Sequence, residues 1–319
     1  MSICVGSINV VKFGDTAFPD DYGQVTRIIY SYLESLSLSH IKSSRYTPSY
    51  GIILNHLSNC TAPNLTSLKL EKCNISSKSP LLKGLRTLDI LDLPARARPE
   101  LNDWLDALNE MPQLKELFFR YATPLAPLAH PPISRTVTLP SLTYFHIDAS
   151  ANDCALALAH LVLLTLTRLH VDIGSHNRRG GDVLLVIPYV VQNVYALQDT
   201  GPIWSILIAG ERKRTEVLTW TMPGADVKVC GPDTLDDMSR SACLQFAAKF
   251  AAKGNSWYFG VKNAIFDALL THLPLNSVST LTAQNCTRLS KEFWLKHASR
   301  LPLNRHAWFQ LQLRHLRRC

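Results

Sequence analysis

The sequence predicts an α/β fold: a leucine-rich-repeat solenoid with a curved parallel sheet on its concave side and helices on its convex side. Three observations carry that expectation. First, the pattern LxxLxL recurs seven times in order, as Leu33/Leu36/Leu38, Leu65/Leu68/Leu70, Leu85/Leu88/Ile90, Leu114/Leu117/Phe119, Leu142/Phe145/Ile147, Leu166/Leu169/Val171 and Ile203/Ile206/Ile208. Second, the Leu65 copy runs on through Cys73 and Ile75, filling the whole repeat template in its cysteine variant. Third, the anchors Leu36, Leu68, Leu88, Leu117, Phe145, Leu169 and Ile206 are separated by 32, 20, 29, 28, 24 and 37 residues. The shorter steps lie within the repeat range of about 20–29 residues, and the longer ones predict helical insertions. Side chains alternate across a strand, so the three pattern residues of each copy point into the core and the residues between them point out. One copy alone buries too little apolar surface to offset its chain entropy, and stacking supplies the rest.

The insertions follow in order. Arg98-Pro99-Glu100 precedes Leu101, Trp104, Leu105 and Leu108 at helical spacing, and Pro112 closes the segment. Proline near a helix start forfeits no hydrogen bond, and Glu100 suits the positive helix end. Asp153 to Leu164 reads as a second helix, apolar on all sides and therefore buried on both. Asp182 to Leu197 reads as a third, kinked or divided at Pro188. Beyond Gly210 the repeat becomes irregular. A helix is expected over Glu211–Trp220, a short strand over Val227–Cys230, helix or strand over Ala242–Ala252, and a helix over Val261–Leu273. Val278-x-x-Leu281-x-Ala283 resembles one more strand, and Leu289–Arg300 a last helix ending at Pro302. The expected organisation is an irregular segment at 1–30, the repeat body at 31–303 and a basic tail at 304–319.

With 46% hydrophobic residues over 319 positions, the chain has ample material for a core. No apolar run reaches the ~18 residues of a membrane-spanning helix. The start, MSICVGSINVVKF, has no basic region of the kind that opens a secretory signal. The eight cysteines form no CxxC and no paired spacing, which predicts reduced thiols in an intracellular protein, cytoplasmic or nuclear. Sequons at Asn59, Asn64, Asn74 and Asn285 are then expected to stay unmodified. The net charge of +8 is unevenly placed: residues 288–319 hold eight Lys/Arg against one Glu, so the preceding part is nearly neutral.

Several runs resemble a large group of F-box-type leucine-rich-repeat proteins of mushroom-forming fungi. They are SPLLKGLRTLDILDL (79–93), ARPELNDWLDALNEMPQLKEL (97–117), RTVTLPSLTYFHIDASANDCALALAHLVL (135–163), IWSILIAGERKRTEVLTW (203–220) and LPLNSVSTLTAQNCTRLSKEFWLKHASRLPL (273–303). The resemblance implies an intracellular protein that reads the substrate of a cullin-RING ubiquitin ligase. Two departures stand beside it. The first 30 residues carry Gly14, Asp15, Pro19, Asp20, Asp21 and Gly23 in place of the helical Leu/Pro-rich run that docks on the ligase adaptor, so adaptor binding is not expected of them. After Leu303, NRHAWFQLQLRHLRRC replaces the expected terminal strand.

The outward central positions form a ladder of Ser37, Lys69, Asp89, Phe118, His146, His170 and Leu207. Strands stack ~4.8 Å apart, which would set His146 beside His170 with Tyr144, Asp148, Arg168 and Asp172 around them. Two imidazoles and two carboxylates suit a divalent cation. Parallel strands create such stacks automatically, however, so the expectation is a mixed polar binding surface with no metal and no cofactor. Phe118, Tyr144, His146, Arg168 and His170 are the predicted contacts for an unidentified protein ligand, since Tyr and Arg are favoured anchors. No catalytic residue is expected. Cys154 and His160 face nearly opposite ways on one helix, Asp103 and Asp106 read as a solvated face, and there is no P-loop, GxGxxG, GxSxG or HExxH. The rival reading is a nucleic-acid-associated protein acting through Arg305, Arg314, His315, Arg317 and Arg318 of the tail.

Overall fold

The computed structural model describes residues 8–13, 33–40, 61–73, 75–93, 98–122, 135–174, 180–197, 201–210, 214–221, 242–249, 257–284, 286, 289–301 and 310–311. The chain divides into two compact units, Met1–Ala149 with Ala159–Leu164, and Ser150–Leu158 with Thr165–Cys319. Both are mixed α/β with mostly parallel strands, and among the described residues no sheet closes into a barrel.

In the first unit β1 (Ile8–Phe13), β2 (Ser35–His40), β3 (Ser67–Glu71), β4 (Thr87–Leu91), β5 (Glu116–Arg120) and β7 (Tyr144–Ala149) lie side by side in sequence order, every pair parallel. A short parallel pair, β6 (Val137–Thr138) with β8 (Leu161–Val162), stands apart from them. Leu36, Leu68, Leu88, Leu117 and Phe145 are successive register partners. All fifteen pattern residues of the first five copies are buried, as expected. A one-residue slip in any pair would turn its leucines to the other face, so this burial fixes the register.

The strands also begin and end alike. The carbonyl one residue after the first pattern leucine accepts two N–H groups from the following copy: Glu34 from Thr66 and Ser67, Thr66 from Arg86 and Thr87, Arg86 from Lys115 and Glu116, Lys115 from Thr143 and Tyr144. At the far end Lys72, Asp92 and Tyr121 have φ of 57°, 55° and 54°, and donate to the carbonyls of Leu91, Arg120 and Asp148 at 2.8, 2.8 and 2.7 Å. Non-glycine residues in the left-handed region are strained by about 1 kcal/mol or more. Here the strain recurs at one pattern position and is offset each time by a backbone bond to the next strand. Arg98 joins two of these bends, donating from Nε to the Leu93 carbonyl and from Nη2 to that of Tyr121, each at 3.1 Å.

The first expected helix forms as α1 (Leu101–Asn109) with Glu100 as its N-cap. Its buried face is Leu101, Trp104, Leu105, Ala107 and Leu108. The Trp104 ring meets Phe119 edge-on at 5.1 Å, and Phe119 meets Phe145 at 6.5 Å, so the helix is keyed to the core face of β5 and β7. The second helix, α2, spans Ala151–His160, two residues earlier than expected at its start and four earlier at its end. Ser150 explains the start: its hydroxyl accepts the Asp153 N–H at 3.2 Å and donates to the Asp153 carboxylate at 2.7 Å, a reciprocal cap. Burial on all sides is not found. Ala151, Cys154, Ala157 and Leu158 are buried while Asn152 is exposed, and Leu164, beyond the helix, is 58% exposed.

In the second unit the strand order is β9 (Arg168–Ile173), β12 (Leu244–Lys249), β11 (Arg214–Trp220), β10 (Ser205–Gly210), β13 (Thr280–Gln284) and β14 (Gln310–Leu311). The Leu166 and Ile203 copies are therefore not neighbours, as the uninterrupted repeat had them. β9 pairs in parallel with β12, and β11 runs antiparallel between β12 and β10. Residues 214–220 of the helix expected over Glu211–Trp220 form this strand instead. Thr215, Val217 and Thr219 are β-branched at alternate positions, which suits a pleated, buried surface. Ala242–Ala252, open between helix and strand, supplies β12. The Leu281 copy forms β13, with Ser279 and Thr280 donating to the Trp204 carbonyl as in the first unit. β14 pairs with β13, so a strand does follow Leu303, contrary to expectation.

The helices here are α3 (Ile187–Leu197), α4 (Trp257–His272) and α5 (Lys291–Ala298). Pro188 divides the third candidate as foreseen, a 3-10 turn at Gly180–Leu185 preceding α3. Ser290 caps α5 by accepting the Phe293 N–H. α5 is clasped to α4 through Asp267, which receives Lys296 at 2.7 Å and His297 Nε2 at 2.8 Å. Arg300 donates to the Leu270 and Leu273 carbonyls at the end of α4. The hydrogen bond from Lys296 holds the Asp267 carboxyl below its ordinary pKa. Residues 14–30, the strand expected at Val227–Cys230 and most of the 304–319 tail lie outside the described residues.

Candidate binding surface

On the outward side of the first unit, Ser37, Lys69, Asp89, Phe118 and His146 stand in register across five strands, as the ladder predicted. Phe118, Tyr144 and His146 are each half-buried. The Phe118 ring meets Tyr144 edge-on at 5.0 Å and His146 at 6.1 Å. Three of the five predicted contact residues are thus one aromatic group. Phe118 therefore has an edge partner within its own sheet. Beside it Arg120 Nη2 donates to Asp89 Oδ2 at 2.6 Å, bridging β4 and β5 on this face. Glu116, the register partner of Tyr144, lies 3.5 Å from the Thr87 hydroxyl.

The other two predicted contacts, Arg168 and His170, belong to the second unit. Arg168 is exposed and His170 half-buried. His170 pairs in register with Gln245, and that side of β9, β12 and β11 carries a polar network the sequence did not disclose. Lys249 donates to Asp172 at 2.7 Å. Glu216 accepts Gln245 Nε2 at 2.6 Å and stands 3.4 Å from Arg214. Asp172, Glu216 and Gln245 are buried. Reading 211–220 as a helix concealed Arg214 and Glu216, and leaving 242–252 open concealed Gln245 and Lys249; the Thr/Val alternation was the available signal. Leu207, placed outward in the ladder, is fully buried in a cluster with Leu218, Trp220 and Ala242. In β10 and β11 both faces are covered, so facing away from the pattern side does not mean facing solvent.

Burial, then the charges of Arg214 and Lys249, lowers the His170 pKa from an ordinary 6.5 to about 3. The folded ring is therefore neutral, while the unfolded chain takes up a proton as pH falls through 6.5. The stabilising contribution is complete above that pH and is lost as acid is added toward pH 3. Between pH 8 and pH 5 this one group should remove about 2 kcal/mol. Urea titrations at the two pH values should show His170→Gln losing less stability than wild type by about that amount; equal losses would show that His170 stays protonatable in the folded state.

Among the described residues no group of three or more His, Cys, Asp and Glu is placed to hold a metal ion. Cys154 is buried on α2, and His160 Nδ1 lies 2.7 Å from the Arg135 carbonyl. Asp106 pairs with Arg135 rather than with Asp103. Burial raises the Cys243 and Cys286 thiols, the latter to about 11, so neither is a thiolate at neutral pH. No helix among the described residues is long and apolar enough to cross a membrane. The chain matches no family model, no curated protein and no solved structure.

Proposed function

We propose that the protein is a recognition scaffold without catalytic activity, built as a leucine-rich-repeat solenoid that binds another protein on the outward side of β3, β4, β5 and β7. The observation that carries this reading is the aromatic cluster in which Phe118 is the register partner of His146 and meets the Tyr144 ring edge-on. Five parallel strands align in one register, and a half-exposed aromatic group on such a face has the composition of an interface anchor. The recurring strand entry and the left-handed bends at Lys72, Asp92 and Tyr121 support the repeat description. Resemblance to F-box proteins extends the reading to a substrate-recognition role in a cullin-RING ubiquitin ligase within the cell, in cytoplasm or nucleus.

Affinity purification of the full chain with mass spectrometry tests the reading. One dominant protein is expected with wild type and a strongly reduced yield with Phe118→Ala. The substitution should cost about 1 kcal/mol of stability, because an edge contact with Tyr144 is lost. Equal recovery by both would rule out the aromatic cluster as the contact. Recovery that instead disappears on deleting 304–319 would favour nucleic-acid-associated binding through the tail.

A further inference from the structure

In the second unit, α5 meets α4 through few side chains, and its side-chain bonds converge on one carboxylate, Asp267. His297 is the one buried residue of α5; Phe293, Trp294 and Ala298 are half-buried, and Leu295 is 60% exposed. Beyond the helix, Leu301 adds a buried apolar side chain and Arg300 donates to the Leu270 and Leu273 carbonyls. Elements with so little buried apolar surface open locally before the rest of a domain. The His297 ring is wholly enclosed, 4.7 Å from the Phe293 ring, with Nε2 2.8 Å from Asp267 Oδ1. A carboxylate only accepts, so Nε2 carries the proton and Nδ1 is the bare nitrogen of a neutral ring. Nδ1 is buried with no hydrogen-bond partner among the described residues. A second proton would create a buried N–H without an acceptor and a charge out of water. The charged groups acting on the ring are Asp267 from α4 and Lys296 and Arg300 from the α5 segment, while Glu292 is bonded to Ser290 at the helix start. Burial, with the charges of Lys296 and Arg300, outweighs the attraction of Asp267 and lowers the His297 pKa from its ordinary 6.5.

We propose that α5 is an acid-released latch on α4 with His297 as its trigger: the neutral ring holds the helix to Asp267, and protonation of the ring frees it. Once α5 lifts, the ring is hydrated and titrates near its ordinary 6.5. Docking is therefore complete above that pH and weakens as acid is added. One proton taken up on release changes the docking equilibrium by at most about tenfold per pH unit. Lys296 holds the Asp267 carboxyl below its ordinary range, so Asp267 stays ionised through this window and His297 is the group that titrates. Release exposes Phe293 and Trp294, which makes the latch a means of presenting apolar surface only in acid.

Hydrogen exchange of the full chain by mass spectrometry, corrected for the intrinsic pH dependence of exchange, reads the latch at pH 7.5 and pH 5.5. Opening of residues 291–300 should rise roughly three- to tenfold at the lower pH, while α3 and α4 of the same unit keep their protection. In His297→Gln, which keeps a donor toward Asp267 and removes the titrating group, the rise should be absent. If that variant is open at both pH values, the wild-type ring decides: its NMR signal, assigned by its loss in the variant, should titrate below 6.5. A ring that titrates at or above that value would overturn the proposal, as would a pH response as large in His297→Gln as in wild type. Equal acid loosening of α4 and α5 would also overturn it, because the whole unit would then be opening.

Discussion

Leu117→Ala should lower the unfolding free energy by ~2–5 kcal/mol. Leu117 lies in the core of the first unit, wholly buried, with Leu88 and Phe145 as its register partners on either side. Truncation removes transfer free energy and leaves a cavity between two strands whose hydrogen bonds prevent collapse. The control is Lys69→Ala, an exposed position on the opposite side, expected to change stability by no more than about 0.5 kcal/mol. Denaturant titration of both variants measures the contrast. Similar midpoints would mean that the two sides of the strands had been exchanged.

Lys249→Met should cost about 2–3 kcal/mol, and the double change Lys249→Met/Asp172→Leu much less. Asp172 is 6% exposed and receives Lys249 at 2.7 Å, while its Oδ1 has no hydrogen-bond partner among the described residues. Removing the lysine alone strands a buried carboxylate, whereas removing both exchanges an ion pair for apolar packing. Lys249 is partly exposed, which places the expected cost below that of a fully buried pair. The change also relieves His170 of one of the charges that keep it neutral. The acid sensitivity assigned to His170 should therefore shrink in Lys249→Met. A double-mutant cycle by urea unfolding measures the coupling, and additive losses would show that the pair is solvated.

The sequence made the first unit legible because its signal is periodic and local. Each LxxLxL copy names its own core residues, and the shared pattern position carries Leu36 to Leu68, Leu88, Leu117 and Phe145 without knowledge of the loops. Trp104 and the leucines around it show the period of a helix and formed one. The second unit was less legible, for two physical reasons. A hairpin interrupts the parallel run, so chain order no longer gives spatial neighbours: β12 stands next to β9, although β10 and β11 precede it in sequence. Strands covered on both faces also lose the apolar–polar alternation that marks a side. Leu207, Leu218 and Trp220 consequently carried no sign of which face they occupy. The aromatic group of Phe118, Tyr144 and His146 was readable from register alone. Its edge contacts, and the Arg214–Glu216–Gln245 network, needed coordinates.

Hydroxyl-radical footprinting of the full chain, alone and saturated with the protein recovered by wild-type affinity purification, tests the recognition surface most directly. Phe118 and Tyr144 should be labelled in the free protein and protected in the complex, while Leu117 and Phe145 on the same two strands stay unlabelled in both. Unchanged labelling of Phe118 and Tyr144 in a saturated complex would contradict the assignment of this face as the site where the partner binds.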